Sequence, residues 1–463
     1  MTIDLPSSVI PLSTRGRYLV LICAFLGWLF AGMHMSITQL VGQPAAVDLL
    51  ARAGKLDISQ HRELSHRFPK SASRKSDVTN LTDDEKQLNQ WNALIASWFA
   101  WYQCSFLFGA AAGGLLFGRL GDRIGRAKAM SISIITYSVM AGAAYFSTSP
   151  EQLLICWFLA CTGVGGMWPN GVALVSEAWA GMSRPMVAGV IGTAANIGIF
   201  LFSTVATRVK ITSDDWRWVM LAGAGPLVLG VLSLVVVPES PRWLAARRAS
   251  REGPGAPSAH GEIFLPPLLK VTLLGILLAT IPIIGGWSTA NWMVPWAENA
   301  GATAVPPNPF LKAQVNQARA VTGMIGSLLG GWIAGYVGRR LTYGIVSIAC
   351  LFIAQYTFWF VVPTDRSFLV WVAALGFFSG IYFGWLPLFL PELFPTRVRS
   401  TGAGVSFNFG RIVTAFTVLT AGMMMTYVDG NYARIGRVTS LFFALGVVAI
   451  CLAPDTSRKE LED

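Results

Sequence analysis

The sequence has few charged residues: they make up 13% of its 463 residues, about half the share found in ordinary globular proteins. A water-soluble enzyme of two or three domains, the usual expectation for this length, is therefore excluded. Hydrophobic residues make up 53%, which excludes an intrinsically disordered chain. Because a membrane-spanning helix needs about 20 mostly apolar residues, this composition is sufficient for about 12 spans. We therefore expect a multi-pass membrane protein surrounded by the lipid bilayer.

The sequence also lacks the patterns that carry catalysis or hold a cofactor. It has no phosphate-binding glycine loop, no catalytic triad and no cluster of metal ligands. All six cysteines lie in apolar stretches, without the spacing of a disulfide framework or a metal site, so we expect them to fill the core. We accordingly expect no enzyme activity, no cofactor and no metal.

The net charge of +11 comes largely from basic residues in short segments between apolar runs. This placement is the signal that orients membrane helices, with the basic loops on the cytoplasmic side. It argues against a nucleic-acid partner, which the net charge alone would suggest. Both termini are predicted to be cytoplasmic.

Twelve apolar runs follow one another along the chain, and each is predicted to be a membrane-spanning helix. They cover residues 18–42, 93–118, 128–147, 152–176, 186–207, 216–237, 268–297, 313–337, 341–363, 367–391, 400–427 and 435–454. The predicted parts of the chain are a cytoplasmic tail (1–17), an N-terminal six-helix bundle (18–237), a cytoplasmic linker (238–266), a C-terminal six-helix bundle (267–454) and a second cytoplasmic tail (455–463). Residues 43–92 form an extracytoplasmic loop, interpreted as a solvated cap over the outer mouth.

The two groups of six spans repeat the same landmarks. The segment Gly118–Arg126 after span 2 has a counterpart in Gly331–Arg340 at the end of span 8. A glycine–asparagine–glycine pattern occurs at 192–198 in span 5 and at 404–410 in span 11, about 212 residues later. Such repeats are typical of secondary transporters, which bind substrate near the membrane midplane between halves that rock around it. The sequence therefore predicts a transporter.

Three motifs at helix junctions resemble those of the major facilitator superfamily of transporters. Gly118–Arg126 is similar to its G-x-L-x-D-R-x-G-R motif, Pro238–Leu244 (PESPRWL) to the end of span 6 in its sugar-porter branch, and Pro391–Arg399 (PELFPTRVR) to its segment after span 10. The resemblance implies an all-α membrane protein with 12 transmembrane helices in two pseudo-symmetric six-helix bundles. It also implies alternating access. We further expect a monomer in a plasma membrane, the bacterial inner membrane.

The resemblance implies that charged residues of these motifs form a charge latch, which holds the two halves together when the cytoplasmic side is closed. The latch residues are Asp122, Arg123, Arg126, Glu177, Arg184, Glu239, Arg242, Glu392, Arg397 and Arg399. Asp122 is expected beside the N-terminal end of span 11, where a carboxylate is favoured. The alternative is that these charges only set the topology.

Spans 4 and 7 indicate the branch of the superfamily. Residues 163–171 and the tryptophan-rich residues 285–296 resemble the proton symporters of metabolites and sialate, which carry carboxylates, and the paired glutamine of sugar porters is absent. The sequence also departs from those relatives. Ala31 and His34 replace acidic residues in span 1, and span 4 lacks their arginine and glutamate. The usual proton-coupling carboxylate and its arginine partner are therefore missing.

Three cationic or titratable residues, Arg411, Arg319 and His34, lie about two turns or more inside spans, where an arginine costs about 2.5–3.5 kcal/mol on insertion scales. Arg411, in span 11, is interpreted as a counter-ion for an anionic substrate, because a guanidinium binds a carboxylate through two parallel hydrogen bonds. The alternative is an arginine satisfied by backbone carbonyls at a helix break. Arg319, in span 8, is a second candidate unless Glu298 pairs with it. His34, in span 1, is a candidate for binding substrate or protons, or else a structural histidine.

Amides and aromatic rings in the spans are candidates for the rest of the substrate site. They are Asn408, Asn196, Asn291, Gln39, Trp287, Trp292, Trp168, Tyr382 and Trp385. The amides orient the substrate in one interpretation and hold helices together in the other. The rings are either flat walls of the cavity or lipid anchors and packing.

The sequence predicts a secondary transporter that moves a small organic anion, a metabolite of the carboxylate type, by alternating access. Its proton coupling is expected to be weak or atypical: uniport or exchange, or coupling through His34 or through the substrate's own carboxylate. An alternative is transport of a neutral solute such as a sugar, with the arginines structural. A more remote alternative is a non-transporting receptor or sensor built on a transporter scaffold.

Overall fold

The computed structural model describes residues 12–68, 82–179, 184–241, 243–245, 247, 259–395, 398–425, 427–428 and 430–454. In this part of the chain, twelve helices correspond in order to the twelve predicted spans. They are α1 (Thr14–Arg52), α2 (Asp83–Ile124), α3 (Arg126–Ala144), α4 (Pro150–Ala178), α5 (Arg184–Ala206), α6 (Trp218–Val236), α7 (Leu268–Thr303), α8 (Leu311–Val337), α9 (Arg339–Phe360), α10 (Phe368–Glu392), α11 (Arg399–Met424) and α12 (Tyr432–Cys451). Eleven of these helices are long and apolar enough to cross a membrane, and the described apolar part of α5, Gly192–Ala206, is shorter. The predicted all-α membrane architecture of 12 helices is confirmed.

Helices α1–α6 and α7–α12 form two bundles in which equivalent pairs of helices pack closely, α2 with α4 and α8 with α10. At both contacts a glycine lets the two backbones touch. A β-carbon on Gly113 would lie 1.9 Å from the carbonyl oxygen of Thr162, and one on Gly326 would lie 2.1 Å from that of Phe377. Between the bundles, α2 packs against α11 and α5 packs against α8. The halves therefore meet along two seams.

The predicted loop 43–92 is shorter than expected because helices enter it from both ends. Helix α1 continues to Arg52, since residues 44–50 are mostly apolar and buried. Helix α2 begins at Asp83, where Thr82 and Glu85 form a capping box. Between these helices, the short helix Ile58–Arg67 packs against α2. The described part of the loop therefore rests on the N-terminal bundle.

A buried carboxylate, Asp48, fixes the outer end of α1 to the start of α6. Its side chain is 10% exposed and accepts hydrogen bonds from Arg52 Nε (2.9 Å), Arg217 Nη1 (2.6 Å) and Trp216 Nε1 (3.0 Å). Arg217 also donates to the carbonyl oxygen of Ser147, just after α3 (3.0 Å). Three helices of the N-terminal bundle are thereby joined at one point. Asp48 was expected in the loop, and its partners were not predicted.

Helix α7 is interrupted near its middle. Its α-helical hydrogen bonds give way to a π-helical turn at Gly285–Thr289 and then to a 3-10 turn at Ala290–Trp292. Pro282, which lies just before the interruption, removes one backbone donor. Interruptions of this kind often mark functional sites, and in transporters they mark substrate sites. The interrupted segment carries Trp287 and Asn291, two of the candidate site residues.

Candidate substrate site

Hydrogen bonds between the two halves close the outer side of the molecule. They join Gln39 to Asn291 (3.0 Å), Gln43 to Asn299 (2.9 Å), Lys312 to the carbonyl oxygen of Ile211 (3.0 Å), and Gln317 to Thr204 (3.0 Å). We call these four contacts the outer gate. Because they are made by the outer parts of α1, α5, α7 and α8, we interpret this conformation as closed to the outside.

The guanidinium group of Arg319 lies in the outer gate and is surrounded by neutral amides. Its Nη1 donates to Asn291 Oδ1 (2.9 Å), and its Nη2 donates to Gln39 Oε1 (3.0 Å) and Asn316 Oδ1 (3.2 Å). Asn291 also donates to Gln103 Oε1 of α2 (3.3 Å). We call Gln39, Asn291 and Asn316 the amide cluster. The cluster brings α1, α7 and α8 together on one cation.

Glu298, the acid that was a candidate partner for Arg319, pairs with Lys312 instead. Lys312 Nζ lies 2.5 Å from Glu298 Oε1, and the lysine side chain is only 4% exposed. Among the described residues, no carboxylate forms an ion pair with Arg319. Arg319 is therefore a cation held by neutral amides, and no described carboxylate neutralises its charge.

Arg411, in the middle of α11, is 8% exposed and likewise has no carboxylate partner in the described part of the chain. Its Nη1 donates to the carbonyl oxygen of Ala110 on α2 (3.3 Å) and to Asn408 Oδ1 (3.2 Å). The guanidinium carbon lies 4.7 Å from the ring centre of Phe407. One contact is thus to a backbone carbonyl, as in the structural interpretation. However, the two bonds use a single nitrogen of a group with five N–H donors, so Arg411 retains donors for a ligand.

One face of α2 contacts the C-terminal half from the outer gate toward the cytoplasm. In this order, Gln103 bonds to Asn291, Phe106 stacks on Trp287 with ring centres 4.3 Å apart, Ala110 accepts the bond from Arg411, and Gly114 faces Asn408. Gln103 and Ala110 are seven positions apart on one helix, which corresponds to about 10 Å along its axis. Asn291, a partner of Arg319, and Arg411 therefore contact this face at two levels.

Two of the predicted tryptophans stay partly exposed between the halves. Trp287 is stacked on Phe106, and the neighbouring Gly286 has no atom within 4 Å of the position of a β-carbon. Trp168 lies 4.8 Å from Trp28 between ring centres. Packing therefore leaves part of each ring uncovered in this conformation.

The other three aromatic candidates lie in the core. Trp292, Tyr382 and Trp385 are at most 1% exposed. The Tyr382 hydroxyl bonds to Ser347 Oγ (2.6 Å), and Trp385 Nε1 donates to the carbonyl oxygen of Arg339 (2.9 Å). Their expected role as cavity walls does not fit this burial, because packing against other helices covers the rings.

The two matched asparagines lie at the two seams. Asn408, at the seam of α2 and α11, bonds to Arg411 and to the carbonyl oxygen of Gly404 (3.0 Å). Asn196 Oδ1, at the seam of α5 and α8, lies 3.6 Å from where a β-carbon on Gly323 would be. Each asparagine thus faces the opposite half or the site arginine.

His34 lies apart from both arginines. Its Nε2 is 3.0 Å from the carbonyl oxygen of Gly223 on α6, and its ring meets Tyr137 of α3 edge-on, with 4.9 Å between ring centres. The side chain is 6% exposed and packs inside the N-terminal bundle. In this conformation the side of α1 that carries His34 faces α3 and α6, which favours the structural alternative.

We expect His34→Gln to leave both the rate and the pH dependence of transport unchanged, because glutamine retains a donor for the Gly223 carbonyl and the side chain does not face the other half. Initial uptake rates measured between pH 5.5 and 8 will check this. If the uptake rate of the original protein depends on pH and that of His34→Gln does not, His34 carries the coupled proton and its structural role is contradicted.

Charged residues at the cytoplasmic ends pair within their own half in this conformation. Asp122 pairs with Arg126 (2.9 Å), and Glu239 accepts a hydrogen bond from the backbone nitrogen of Arg126 at the start of α3 (2.8 Å). In the other half, Arg339 and Glu392 form a two-bond ion pair (3.0 and 3.3 Å). Asp122 was expected beside the start of α11; in this structure its carboxylate pairs with Arg126, one turn further along the chain.

The remaining latch candidates are placed as follows. Glu177 bonds to Ser240, Arg399 donates to the carbonyl oxygen of Phe394 (3.4 Å), and Arg123 is exposed. Arg184 begins α5, but its side chain lies outside the described residues, as do Arg242 and Arg397 entirely. The part that Arg184, Arg242 and Arg397 play in the predicted latch therefore stays a prediction.

The partners of Arg319 were only partly predicted. Asn316 was not a candidate, although it precedes Arg319 by three residues and therefore lies on the same face of α8. Lys312 was also not considered, and it takes the acid that would otherwise neutralise Arg319. Helical spacing from a buried arginine would have identified Asn316, whereas the Lys312 pair depends on how α7 and α8 pack.

Known proteins show where the chain belongs. The cis,cis-muconate transport protein of Acinetobacter baylyi is 26% identical to it over 74% of this chain and 82% of its own length. The gentisate transporter of Corynebacterium glutamicum is 24% identical over 72% of this chain and 75% of its own. A crystal structure of a D-xylose–proton symporter covers 96% of this chain and 98% of its own with a TM-score of 0.66, at 17% identity. That likeness shows the fold.

The family profile described as the Major Facilitator Superfamily matches residues 86–418, which is well over half of the chain. The matching region includes the Gly118–Arg126 motif and both seams between the halves. The chain is therefore a multi-pass protein of the bacterial inner membrane and belongs to the Major Facilitator Superfamily of transporters.

Proposed function

We propose that this transporter moves a small organic anion by alternating access of one site between its two halves. The observation that carries the proposal is the pair of arginines, Arg319 and Arg411, whose described partners are amides, a backbone carbonyl and an aromatic ring. A buried charge without a counter-ion costs several kcal/mol. An anion between the halves offsets that cost while it is bound.

The substrate class that we propose is a planar carboxylate. Relatives are named as transporters of cis,cis-muconate, of gentisate and of niacin, compounds that carry a carboxylate on a flat unsaturated or aromatic skeleton. In this chain, Arg411 binds the carboxylate, Trp287 and Trp168 face the flat skeleton, and Asn408 orients it. Asn196 contributes from the other seam.

We further propose that coupling to protons is weak. In the described membrane helices, every aspartate and glutamate lies within about two turns of a helix end. A carboxylate at the depth of Arg411 is what a proton-coupled carrier would use to discharge its substrate site. Without one there, the protein works as a uniporter or exchanger, or takes up the proton with the substrate's own carboxylate.

The cytoplasmic charge latch completes this proposal. When the cytoplasmic ends of the two halves approach, Asp122 and Arg126 of the Gly118–Arg126 motif separate from each other and bind partners in the other half. Glu392 and Arg399 are the counterparts there. The alternative, that these charges only set the topology, predicts no change in their pairing during transport.

We expect proteoliposomes containing the protein to take up labelled muconate, gentisate or nicotinate, with uptake continuing when a protonophore collapses the pH gradient. The reason is that the site offers fixed positive charge and no carboxylate of its own. Initial rates with and without the protonophore are the measurement, and protein-free liposomes are the control.

Two outcomes would contradict the proposal. Uptake of xylose or another neutral sugar, with no response to the three carboxylates, would favour the neutral-solute alternative. Binding of a carboxylate in a thermal-shift assay without any flux would favour a receptor built on a transporter scaffold.

A further inference from the structure

The guanidinium group that we propose as an anion site also takes part in closing the outer gate. The bond from Arg319 on α8 to Gln39 on α1 crosses from one half to the other. Gln39 in turn donates to Asn291 on α7, so the bonds form a closed triangle of three helices. A carboxylate binds an arginine in a two-bond pair through its planar N–H donors. In this conformation, both terminal nitrogens of Arg319 are already used by amide oxygens.

Resting on the proposed function, we propose that Arg319 is an outward-facing anion site on which a substrate carboxylate and the amide cluster alternate. When the outer gate is open, the carboxylate binds the terminal nitrogens of Arg319. When the gate closes, Gln39 and Asn291 replace the carboxylate, and the anion passes to Arg411. The amide cluster is thus a set of positioning residues that act through Arg319.

The exchange follows from the difference between the two sets of acceptors. A hydrogen bond to an ionised acceptor is roughly twice as strong as one to a neutral acceptor, so a carboxylate displaces amide oxygens where it has access. In the closed gate, amide oxygens lie 2.9–3.2 Å from the terminal nitrogens of Arg319. The cation therefore keeps its hydrogen bonds after the anion leaves, and it does not hold the anion back.

Asn316 gives an independent sign that this site accepts an additional group. Its side chain is 0% exposed, and its oxygen accepts a bond from Arg319. Its amide nitrogen is buried without a hydrogen-bond partner among the described residues. A buried donor left in this way destabilises the conformation that contains it. A carboxylate on Arg319 would supply the missing acceptor.

The position of Arg411 gives the exchange a direction. Arg411 contacts α2 at Ala110, about 10 Å nearer the cytoplasm than Gln103, the residue of α2 that bonds to Asn291 of the amide cluster. It retains donors in the conformation in which Arg319 is occupied by amides. An anion that is displaced from Arg319 therefore meets Arg411 next. The site binds the anion more tightly from the outside, where Arg319 takes part, than from the inside, where Arg411 acts without it.

The test uses Gln39→Glu, which places a permanent carboxylate where the Gln39 oxygen now lies, 3.0 Å from Arg319 Nη2. Its matched control is Gln43→Glu, one turn further along α1, which makes the same charge change beside the neutral Asn299. Opening of the outer gate is followed by labelling Ala313→Cys, a residue 1% exposed on the gate side of α8, with a membrane-impermeant maleimide. The labelling is done on right-side-out vesicles in a Cys156→Ser background, with and without muconate.

We expect muconate to increase labelling in the Ala313→Cys protein. We expect Gln39→Glu to reduce labelling at least about tenfold, because the new ion pair holds the gate closed, and to abolish the response to muconate. Gln43→Glu should increase labelling, because a carboxylate facing the Asn299 oxygen opens the gate. Adding Arg319→Gln to Gln39→Glu should restore labelling, which shows that the first variant is folded and that its effect acts through the arginine.

Equal labelling of Gln39→Glu and Gln43→Glu would overturn the exchange, as would a Gln39→Glu protein that labels like its parent. These results are separate from the proposed function. If carboxylate uptake requires Arg411 while Gln39→Glu behaves like its parent, only the exchange on Arg319 is wrong. If uptake is indifferent to Arg411 and Arg319 together, the anion function itself is wrong.

Discussion

Replacing Arg411 with alanine is expected to reduce the initial rate of carboxylate uptake at least about 100-fold. Each hydrogen bond to a charged partner contributes about 1.5–3 kcal/mol, and the variant loses a two-bond pair with the substrate. Arg411→Lys keeps the charge but loses the planar fork, so it should retain part of the activity with a raised KM. Uptake by proteoliposomes, normalised to the amount of folded protein, is the measurement.

The matched control for this variant is Arg437→Ala. Arg437 also lies in the C-terminal half with its guanidinium over an aromatic ring, 3.9 Å from the centre of Trp359, but it is on α12 near the outer surface. Its loss should leave uptake nearly unchanged. Near-normal uptake by Arg411→Ala would show that Arg411 only links α11 to the Ala110 carbonyl of α2 and would refute its role as a counter-ion.

Replacing Asp48 with alanine is expected to lower the free energy of unfolding by about 3–5 kcal/mol. The carboxylate is largely buried and serves Arg217 and Trp216, which the substitution would leave without their acceptor. Asp48→Asn should be less harmful, because the amide oxygen still accepts one of these bonds. Thermal unfolding of the purified protein in detergent measures the effect.

Asp214→Ala is the matched control for Asp48→Ala. Asp214 also pairs with an arginine, Arg62, on the outer side of the N-terminal bundle, but the two side chains are 61% and 51% exposed. An exposed pair of this kind contributes less than about 1 kcal/mol. Equal losses of stability in the two variants would mean that burial does not decide the contribution of Asp48.

The order and depth of the helices could be predicted because each membrane crossing requires a long apolar run. Depth alone also identified Arg319 and Arg411 as unusual. Hydropathy does not report how a helix is rotated about its axis, because its lipid-facing and buried faces are both apolar. His34 and Gln39 are five residues apart on α1, yet His34 faces α6 and Gln39 faces α8. Because the sequence does not predict this rotation, His34 is among the candidate substrate-binding residues, although its side chain faces α6 in this structure.

The rotation of a helix about its axis also decides which of the candidate aromatic side chains are buried. Trp287 and Trp292 belong to the same interrupted segment of α7, but only Trp287 remains partly exposed. A π turn followed by a 3-10 turn shifts the angular position of each residue away from regular helical spacing. We found no pattern in the sequence that predicts this shift. The predicted start of the loop, at residue 43, differs from the observed end of α1 at Arg52 for another reason. Asp48 looked like a loop residue because its partners, Trp216 and Arg217, lie far along the chain.

The close backbone contacts at Gly113 and Gly326 have a consequence for how the molecule moves. Helices whose backbones touch cannot slide past one another without a clash, so we expect the pair α2 and α4 and the pair α8 and α10 to move as rigid units. Bending is then concentrated where a helix is already irregular, and α7 is irregular between Gly285 and Trp292. We therefore expect α7 to bend between Gly285 and Trp292 when the outer gate opens, which would move Asn291 away from Arg319 while the two helix pairs keep their shape.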